Sequence, residues 1–362
     1  MSTKKVMRVG FLTSGGDCQA LNAAMRGVVK GLSNNCENLE LYGFLNGYKG
    51  LIYGDFKLLT PQDFSGILTK GGTILGTSRV PFKEIRIPDE NGVDKVEAMK
   101  QNYHKLNLDC IVILGGNGTQ KTANLLREEG LNVIHLPKTI DNDIAGTEVT
   151  FGFQSAINIA TEAIDCIHTT AASHNRVFIV EVMGHKVGWL TLNAGMASGA
   201  DIILIPEIPY DTDKVIEAIK RRTKEGKGFT ILAVAEGAIS KKDAALSKKE
   251  YKKKQEEKKY PSVSYELADE ITKKTGIEVR VTVPGHTQRG GSPCPYDRVL
   301  CTRLGAEAAK AIIEGDFGNM IGNVHRELVR VPLEKVAGQL KSVDPESQII
   351  KDAKFVGISF GD

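Results

Sequence analysis

Short apolar runs recur along the chain, each closed by glycine or polar turn residues and followed by a stretch of helical periodicity. The runs at 6–12, 110–114, 133–136, 176–182, 201–206, 229–235 and 279–283 read as strands covered on both faces, since such strands show no polar alternation. Between them, 21–32, 94–106, 119–129, 155–169, 187–197, 211–224 and 297–314 carry the helical pattern. Strand and helix alternating at this spacing predict an α/β chain with mostly parallel sheets and helices on both faces, a three-layer α/β/α arrangement. Ligands of such sheets gather beyond the carboxyl ends of the strands, and the glycine clusters of this chain fall at those ends.

Length and charge narrow the picture. At 362 residues the chain is long enough for two domains, which commonly hold about 100–200 residues each. It shows no internal repeat and no Pro/Ser-rich linker, so the two are expected to interleave. Apolar residues at 41% and charged residues at 25% are ordinary for a globular protein. A formal charge of +3 points to neither a nucleic-acid nor a membrane surface. No apolar stretch approaches the roughly 18 residues of a membrane-spanning helix. The first apolar run breaks at Thr13-Ser14-Gly15-Gly16-Asp17, too soon for a signal peptide. Cys18, Cys36, Cys110, Cys166, Cys294 and Cys301 are scattered without disulfide or zinc spacing, the pattern of free thiols in a reducing, cytoplasmic setting. Segment 241–259 is Lys-rich, broken by Glu and Gln, and reads as a solvated helix or surface insertion.

Four segments carry candidate chemistry. Gly15-Gly16 stands between a strand and a helix that begins near Asn22; paired glycines let backbone approach a phosphate, and a helix N-terminus favours negative charge. A tight strand–helix turn gives the same pattern. Gly115-Gly116-Asn117-Gly118-Thr119 repeats the arrangement, with freed N–H groups that can form an anion nest. Neither a P-loop nor a G-x-G-x-x-G fingerprint occurs. Lys138-Thr139-Ile140-Asp141-Asn142-Asp143 puts two carboxylates two residues apart at a strand end. One can take a proton from an attacking hydroxyl while the other balances a metal, although an Asx-rich turn has the same composition. Finally Arg280, His286 and Arg289 flank a glycine-rich turn, and paired arginines suit bidentate phosphate recognition. Together the segments read as phosphate-binding loops and arginines beside an acidic turn able to move a proton and balance a metal.

In this order the segments resemble the 6-phosphofructokinase family over nearly the whole chain. The resemblance rests on Thr13 to Asp17, Gly71-Gly72-Thr73-Ile74-Leu75-Gly76-Thr77-Ser78-Arg79, Gly115 to Gly118, Pro137 to Asp143, Ser173-His174-Asn175-Arg176, Val180-Glu181-Val182-Met183-Gly184, Glu236 and Gly285 to Pro293. It implies transfer of a phosphoryl group from MgATP to the 1-hydroxyl of fructose 6-phosphate, giving the fructose 1,6-bisphosphate of glycolysis. Asp141 is then the base, Thr139 and Lys138 contact the transferring group, and Asp143 helps organise the magnesium shell. Gly15, Arg79, Gly116, Asn117, Gly118 and Thr119 line the donor site, with Asn117 as the metal contact. On the sugar side the resemblance implies Met183, Gly184, His185 and Glu236 around the ring, and Arg176, Arg280, His286 and Arg289 on the 6-phosphate. It also implies a homotetramer or homodimer whose sites are shared across the interface through Arg176 and Arg280. The expected fold is two phosphofructokinase-like α/β domains: 1–150 with about 288–340 for the donor, and 151–287 with 341–362 for the sugar phosphate.

Three positions depart from the family pattern. Asn117 stands where an Asp is usual, His185 where an Arg is usual, and Leu45 where an aromatic side chain often packs on adenine. Donor choice turns on Gly118, which leaves the room that an Asp fills in pyrophosphate-using relatives, and on Lys138, which those relatives carry. Gly118 favours ATP; pyrophosphate is the alternative donor. Another phosphorylated ketose as acceptor, or a catalytically weakened regulatory subunit, are the further readings. Arg26 and Lys30, at i and i+4 on the first helix, occupy the region where bacterial relatives bind an effector phosphate, and equally suit an exposed basic helix face.

Overall fold

The computed structural model describes residues 6–362 apart from Asn175 and Lys258, with Gln255 described in its backbone only. Asn175 of the Ser173-to-Arg176 block and Lys258 of the Lys-rich segment therefore lie outside the described residues. In chain order the strands are β1 (Met7–Ser14), β2 (Leu39–Phe44), β3 (Phe56–Leu59), β4 (Cys110–Gly115), β5 (Val133–Pro137), β6 (Val177–Val182), β7 (Ile202–Leu204), β8 (Thr230–Ala235), β9 (Val279–Thr282), β10 (Asn319–Val324) and β11 (Glu327–Pro332). Two compact units result, one of Met1–Ser155 with Arg289–Lys341, the other of Ala156–Gln288 with Ser342–Asp362.

The first unit holds a seven-stranded sheet in the order β11-β10-β5-β4-β1-β2-β3. Its interior pairs are parallel, and only the edge strands β3 and β11 run antiparallel. Every residue of β4 and β5 is buried, as unbroken apolar runs require in a sheet covered on both faces. Two helices, Leu21–Asn35 and Pro295–Glu314, pack against each other through small residues. A Cβ on Gly27 would stand 2.7 Å from the Cys301 carbonyl oxygen, and one on Gly305 would stand 2.4 Å from the Val28 nitrogen. Asp297, fully buried, accepts from the Gly152 amide (3.2 Å), the Ser155 amide (2.9 Å) and the Ser155 hydroxyl (2.5 Å). It thereby caps the start of the helix Phe153–His174.

The second unit has a four-stranded, wholly parallel sheet in the order β7-β8-β6-β9. Its core is the apolar set that includes Val177, Ile179, Leu204, Val215, Ile219, Leu232 and Leu267. The Lys-rich segment forms a helix, Lys248–Glu257, pinned by Lys254, whose ammonium reaches Asp243 (2.7 Å) and Glu266 (2.7 Å). Strands appear at each apolar run that the sequence pattern picks out, and β2, β3, β10 and β11 are added to them. Of these, β3 and β11 are edge strands, and β10 carries Asn319, Gly322 and Asn323, so it shows no apolar run.

His135, in the middle of β5, is fully buried and its Nε2 lies 3.1 Å from the Gly115 carbonyl oxygen. Burial pulls its imidazole down to about 3. A ring held neutral in the fold but free to charge in the unfolded chain gives stability that is complete above its unfolded value and is lost as pH falls toward the folded one. Between pH 7 and pH 5 this costs about 2 kcal/mol, taking an unfolded value of about 6.5. His135→Gln is expected to lose about 2 kcal/mol less over that interval, measured by urea unfolding at the two pH values. Equal losses in both proteins would remove His135 as the source.

Candidate active site

In the first unit, β5, β4 and β1 are neighbours and parallel. Their registers align Ser14 with Gly115 and Gly115 with Pro137. The glycine loops after β1 and β4 and the acidic turn after β5 therefore leave the sheet side by side, from one row of residues at its carboxyl edge. The backbone beyond that row allows close approach. Gly15 has φ +86°, and a Cβ there would stand 3.6 Å from the Thr119 hydroxyl and 3.7 Å from the Lys138 ammonium. Lys138 is buried and its Nζ donates to the Gly16 carbonyl. Burial draws that ammonium below the usual lysine range, while the charge of Asp141 pulls the other way. Glycine loop, Thr119 and Lys138 thus converge on one spot.

Arg289 joins them. Its Nη1 donates to the Asp17 carbonyl (2.9 Å), and a Cβ on Gly16 would stand 2.8 Å from the same nitrogen. The structure accordingly places Arg289 against the Gly15-Gly16 loop of the first unit. The Gly71-to-Arg79 segment packs on this loop too: the Gly15 amide donates to the Ser78 carbonyl (3.1 Å) and the Thr77 hydroxyl to the Gly15 carbonyl (2.8 Å). Arg79, at its end, is exposed. Gly118 lies in the first turn of the helix Asn117–Glu128, and a Cβ on it would meet nothing within 4 Å.

The acidic turn is more tightly built than its composition suggests. The Asp141 amide donates to the Thr139 hydroxyl (3.0 Å), and the Thr139 carbonyl accepts from the Thr150 hydroxyl (2.8 Å). Asn142, buried between the two acids, takes φ +56°, and its Oδ1 accepts from the Thr150 amide (3.0 Å) and the Lys341 ammonium (3.0 Å). Asp141 and Asp143 are both half-buried. Asn117 donates from Nδ2 to the Gln339 carbonyl (3.0 Å), which leaves its own carbonyl as an acceptor. Among the described residues no cluster of three or more His, Cys, Asp or Glu is suited to hold a metal. The Asp141 and Asp143 carboxylates and the Asn117 carbonyl are oxygen donors of the type that suits a magnesium ion arriving on phosphate oxygens with part of its water shell.

In the second unit, β8, β6 and β9 are neighbours, and the Met183, Glu236 and His286 segments all follow their carboxyl ends. Glu236 Oε1 accepts from the amides of Gly184 (3.2 Å) and His185 (2.8 Å). Gly184, at φ +152°, has no room for a side chain, since a Cβ would stand 2.6 Å from the Val187 carbonyl oxygen. Gln288, fully buried, accepts from the Met183 amide (3.2 Å) and donates to the Gly285 carbonyl (3.0 Å). This tie between the turns is carried by a residue of the Gly285-to-Pro293 block to which residue types alone assign no role. His185, Glu236 and His286 are all exposed.

Arg176 and Arg280 stand elsewhere. Arg176 precedes β6, its Nε 2.9 Å from Glu278, and Arg280 is ion-paired with the same Glu278. The whole of β6 separates Arg176 from Met183, roughly 23 Å at about 3.3 Å per residue. One chain therefore presents its arginine pair at the opposite sheet edge from Met183, Gly184 and Glu236. Lys341, also missed from sequence, donates to the carbonyls of Thr147 (2.8 Å) and Glu148 (2.9 Å) besides Asn142. Burial draws its ammonium down to about 8, opposed by the attraction of Asp143 and Glu148. Arg26 is half-buried and Lys30 exposed on the helix Leu21–Asn35. None of the helices among the described residues is long and apolar enough to cross a membrane.

The sequence model of the family described as Phosphofructokinase matches residues 8–312. The chain is 56% identical over 360 residues to the ATP-dependent 6-phosphofructokinase of Spirochaeta thermophila, covering 98% of this chain and 97% of that protein. It is 45% identical over 342 residues to the pyrophosphate–fructose 6-phosphate 1-phosphotransferase of Amycolatopsis methanolica, covering 94% and 97%. Among solved structures, the phosphofructokinase of Pichia pastoris superposes with a TM-score of 0.80 at 32% identity, over 93% of this chain and 36% of that longer one.

Proposed function

The chain belongs to the phosphofructokinase family, and from that premise we propose that it moves the terminal phosphoryl group of MgATP onto the 1-hydroxyl of fructose 6-phosphate. The row of Ser14, Gly115 and Pro137 carries this reading, because it sets two glycine loops and an acidic turn at one sheet edge. The first unit is the donor unit. Its loops cradle the phosphates with backbone N–H groups, and Lys138 and Arg289 add positive charge beside them. Asn117 and Asp143 are the residues that would hold magnesium, which supplies neutralisation of the phosphate charge when bound.

Asp141 takes the proton of the sugar 1-hydroxyl as its oxygen bonds to the γ-phosphorus and the bond to the β,γ-bridging oxygen breaks. The electron pair leaves with ADP. Thr139, held by its hydrogen bond from the Asp141 amide, faces the group in transit. The second unit is the sugar unit, with Met183, Gly184 and Glu236 at the ring and His286 beside them. Arg176 and Arg280 lie at the far edge of the same sheet, which supports the role that the resemblance gives them, on the 6-phosphate bound by another copy of the chain. An oligomer with shared sites is the arrangement this requires.

Open space at Gly118 favours ATP, as does the name of the 56%-identical relative. Lys138 and the Amycolatopsis relative support the second reading, pyrophosphate as donor. Initial rates with fructose 6-phosphate and magnesium, comparing ATP with pyrophosphate, decide between them. Turnover with ATP is expected. Turnover confined to pyrophosphate would overturn the donor assignment, and turnover with neither would overturn the enzyme reading.

A further inference from the structure

Three consecutive residues near the end of the first unit touch both loops of the candidate donor site. Gln339 offers its carbonyl to Asn117 Nδ2, Leu340 forms an antiparallel bridge with Ile144, and the Lys341 amide donates to the Asp143 carbonyl (2.9 Å). The Lys341 ammonium then turns back into the acidic turn and donates to Asn142 Oδ1, the Thr147 carbonyl and the Glu148 carbonyl. We propose that Lys341 is a positioning residue for phosphoryl transfer, fixing the Asp141-Asn142-Asp143 turn through Asn142.

The case is geometric. Asn142 sits at φ +56°, a left-handed conformation that Asn adopts more readily than most residues but that still needs support. Its side chain is the hub of that support: Oδ1 accepts from both the Thr150 amide and Lys341, and Nδ2 donates to the Glu148 carbonyl (3.2 Å). An ammonium has three donors, and here each meets an acceptor. Without it, three oxygens of the turn lose a charged donor, and the left-handed residue between the two acids loses its anchor. The carboxylates on either side are those that must meet the sugar hydroxyl and the donor phosphates. A displacement of about 1 Å at such a position costs on the order of 10²-fold in rate.

This inference rests on the proposed reaction, and its test separates the two. Lys341→Met keeps the bulk of the side chain and removes its donors; Lys341→Arg keeps the charge. Both variants are assayed well below their melting temperatures, so that a loss of stability alone leaves kcat unmoved. Lys341→Met is expected to lose about 10²-fold in kcat with KM for each substrate within about threefold, and Lys341→Arg to recover at least about tenfold of that loss. Hydrogen exchange on the same proteins is expected to be faster in Lys341→Met across 141–150 and unchanged in β1 and β4. A kcat for Lys341→Met within about threefold of the parent, or exchange at 141–150 identical to the parent's, would overturn the proposal. If the parent chain transfers phosphate from neither donor, the reaction assignment fails, while the exchange comparison still reports whether Lys341 holds the turn.

Discussion

Asp141→Asn is expected to lower kcat by about 10²–10⁴-fold, the usual cost of losing a general base, with KM for both substrates within a few-fold. The change is close to isosteric and keeps the backbone contacts of the turn. The Asp141 amide goes on donating to Thr139, and Asn142 goes on accepting from Thr150 and Lys341. What disappears is a carboxylate able to take the proton of the sugar hydroxyl. A variant that retains more than a tenth of parental turnover would move the base elsewhere, with Asp143 the nearest remaining acid in the turn. The same protein tests the shared site. Arg280→Ala leaves Asp141 intact, and on the proposed shared site its loss falls on the 6-phosphate of a neighbouring copy. Co-refolding the two inactive variants at equal amounts is expected to restore about a quarter of parental activity in a dimer, because half the dimers are mixed and each has one site with both functional parts. Activity no higher than the sum of the separate variants would mean that each chain completes its own site.

Much of this arrangement is legible in the sequence, for a physical reason. A strand buried on both faces must be apolar throughout, and Cys110–Gly115 and Val177–Val182 advertise themselves that way. The loops after them must bend at once, so they carry glycine, and the residues proposed for the reaction lie within a few positions of those glycines. What stays hidden has a different origin. Strand β3 at one edge of the larger sheet is partly exposed, and β10, near the other, is interrupted by Asn and Gly; neither has an apolar run to show. Arg289 reads as one more phosphate-binding arginine of its block, yet it closes on the Gly16–Asp17 backbone. Lys341 bonds to backbone carbonyls nearly two hundred positions away, and a carbonyl leaves no mark in a sequence. Side-chain chemistry at strand ends is visible from residue types; the groups that hold it still become visible only when the chain is folded.

Gly118→Asp is expected to turn the donor preference from ATP toward pyrophosphate. The position tolerates the change: the backbone is helical, a Cβ meets no heavy atom within 4 Å, and an acidic side chain in the first turn of the helix Asn117–Glu128 is favoured by the helix dipole. The new carboxylate therefore costs the fold little, and its effect falls on the ligand. It would project into the space that the family resemblance gives to the α-phosphate of ATP, beside backbone that holds the other phosphates. At about 5 Å and an effective dielectric near 20, repulsion between two unit charges is about 3 kcal/mol, on the order of 10²-fold in kcat/KM for ATP. Pyrophosphate has no α-phosphate to repel, and Lys138, tied to the Gly16 carbonyl in the parent, is the residue proposed to meet the transferring group with either donor. The variant's kcat/KM for pyrophosphate is thus expected to equal or exceed the parent's while that for ATP falls. If both donors lose equally, the carboxylate is disturbing the common phosphate cradle and not an ATP-specific position. If ATP is unaffected, the nucleotide does not pass Gly118, and donor choice is made elsewhere in the loop set by Ser14, Gly115 and Pro137.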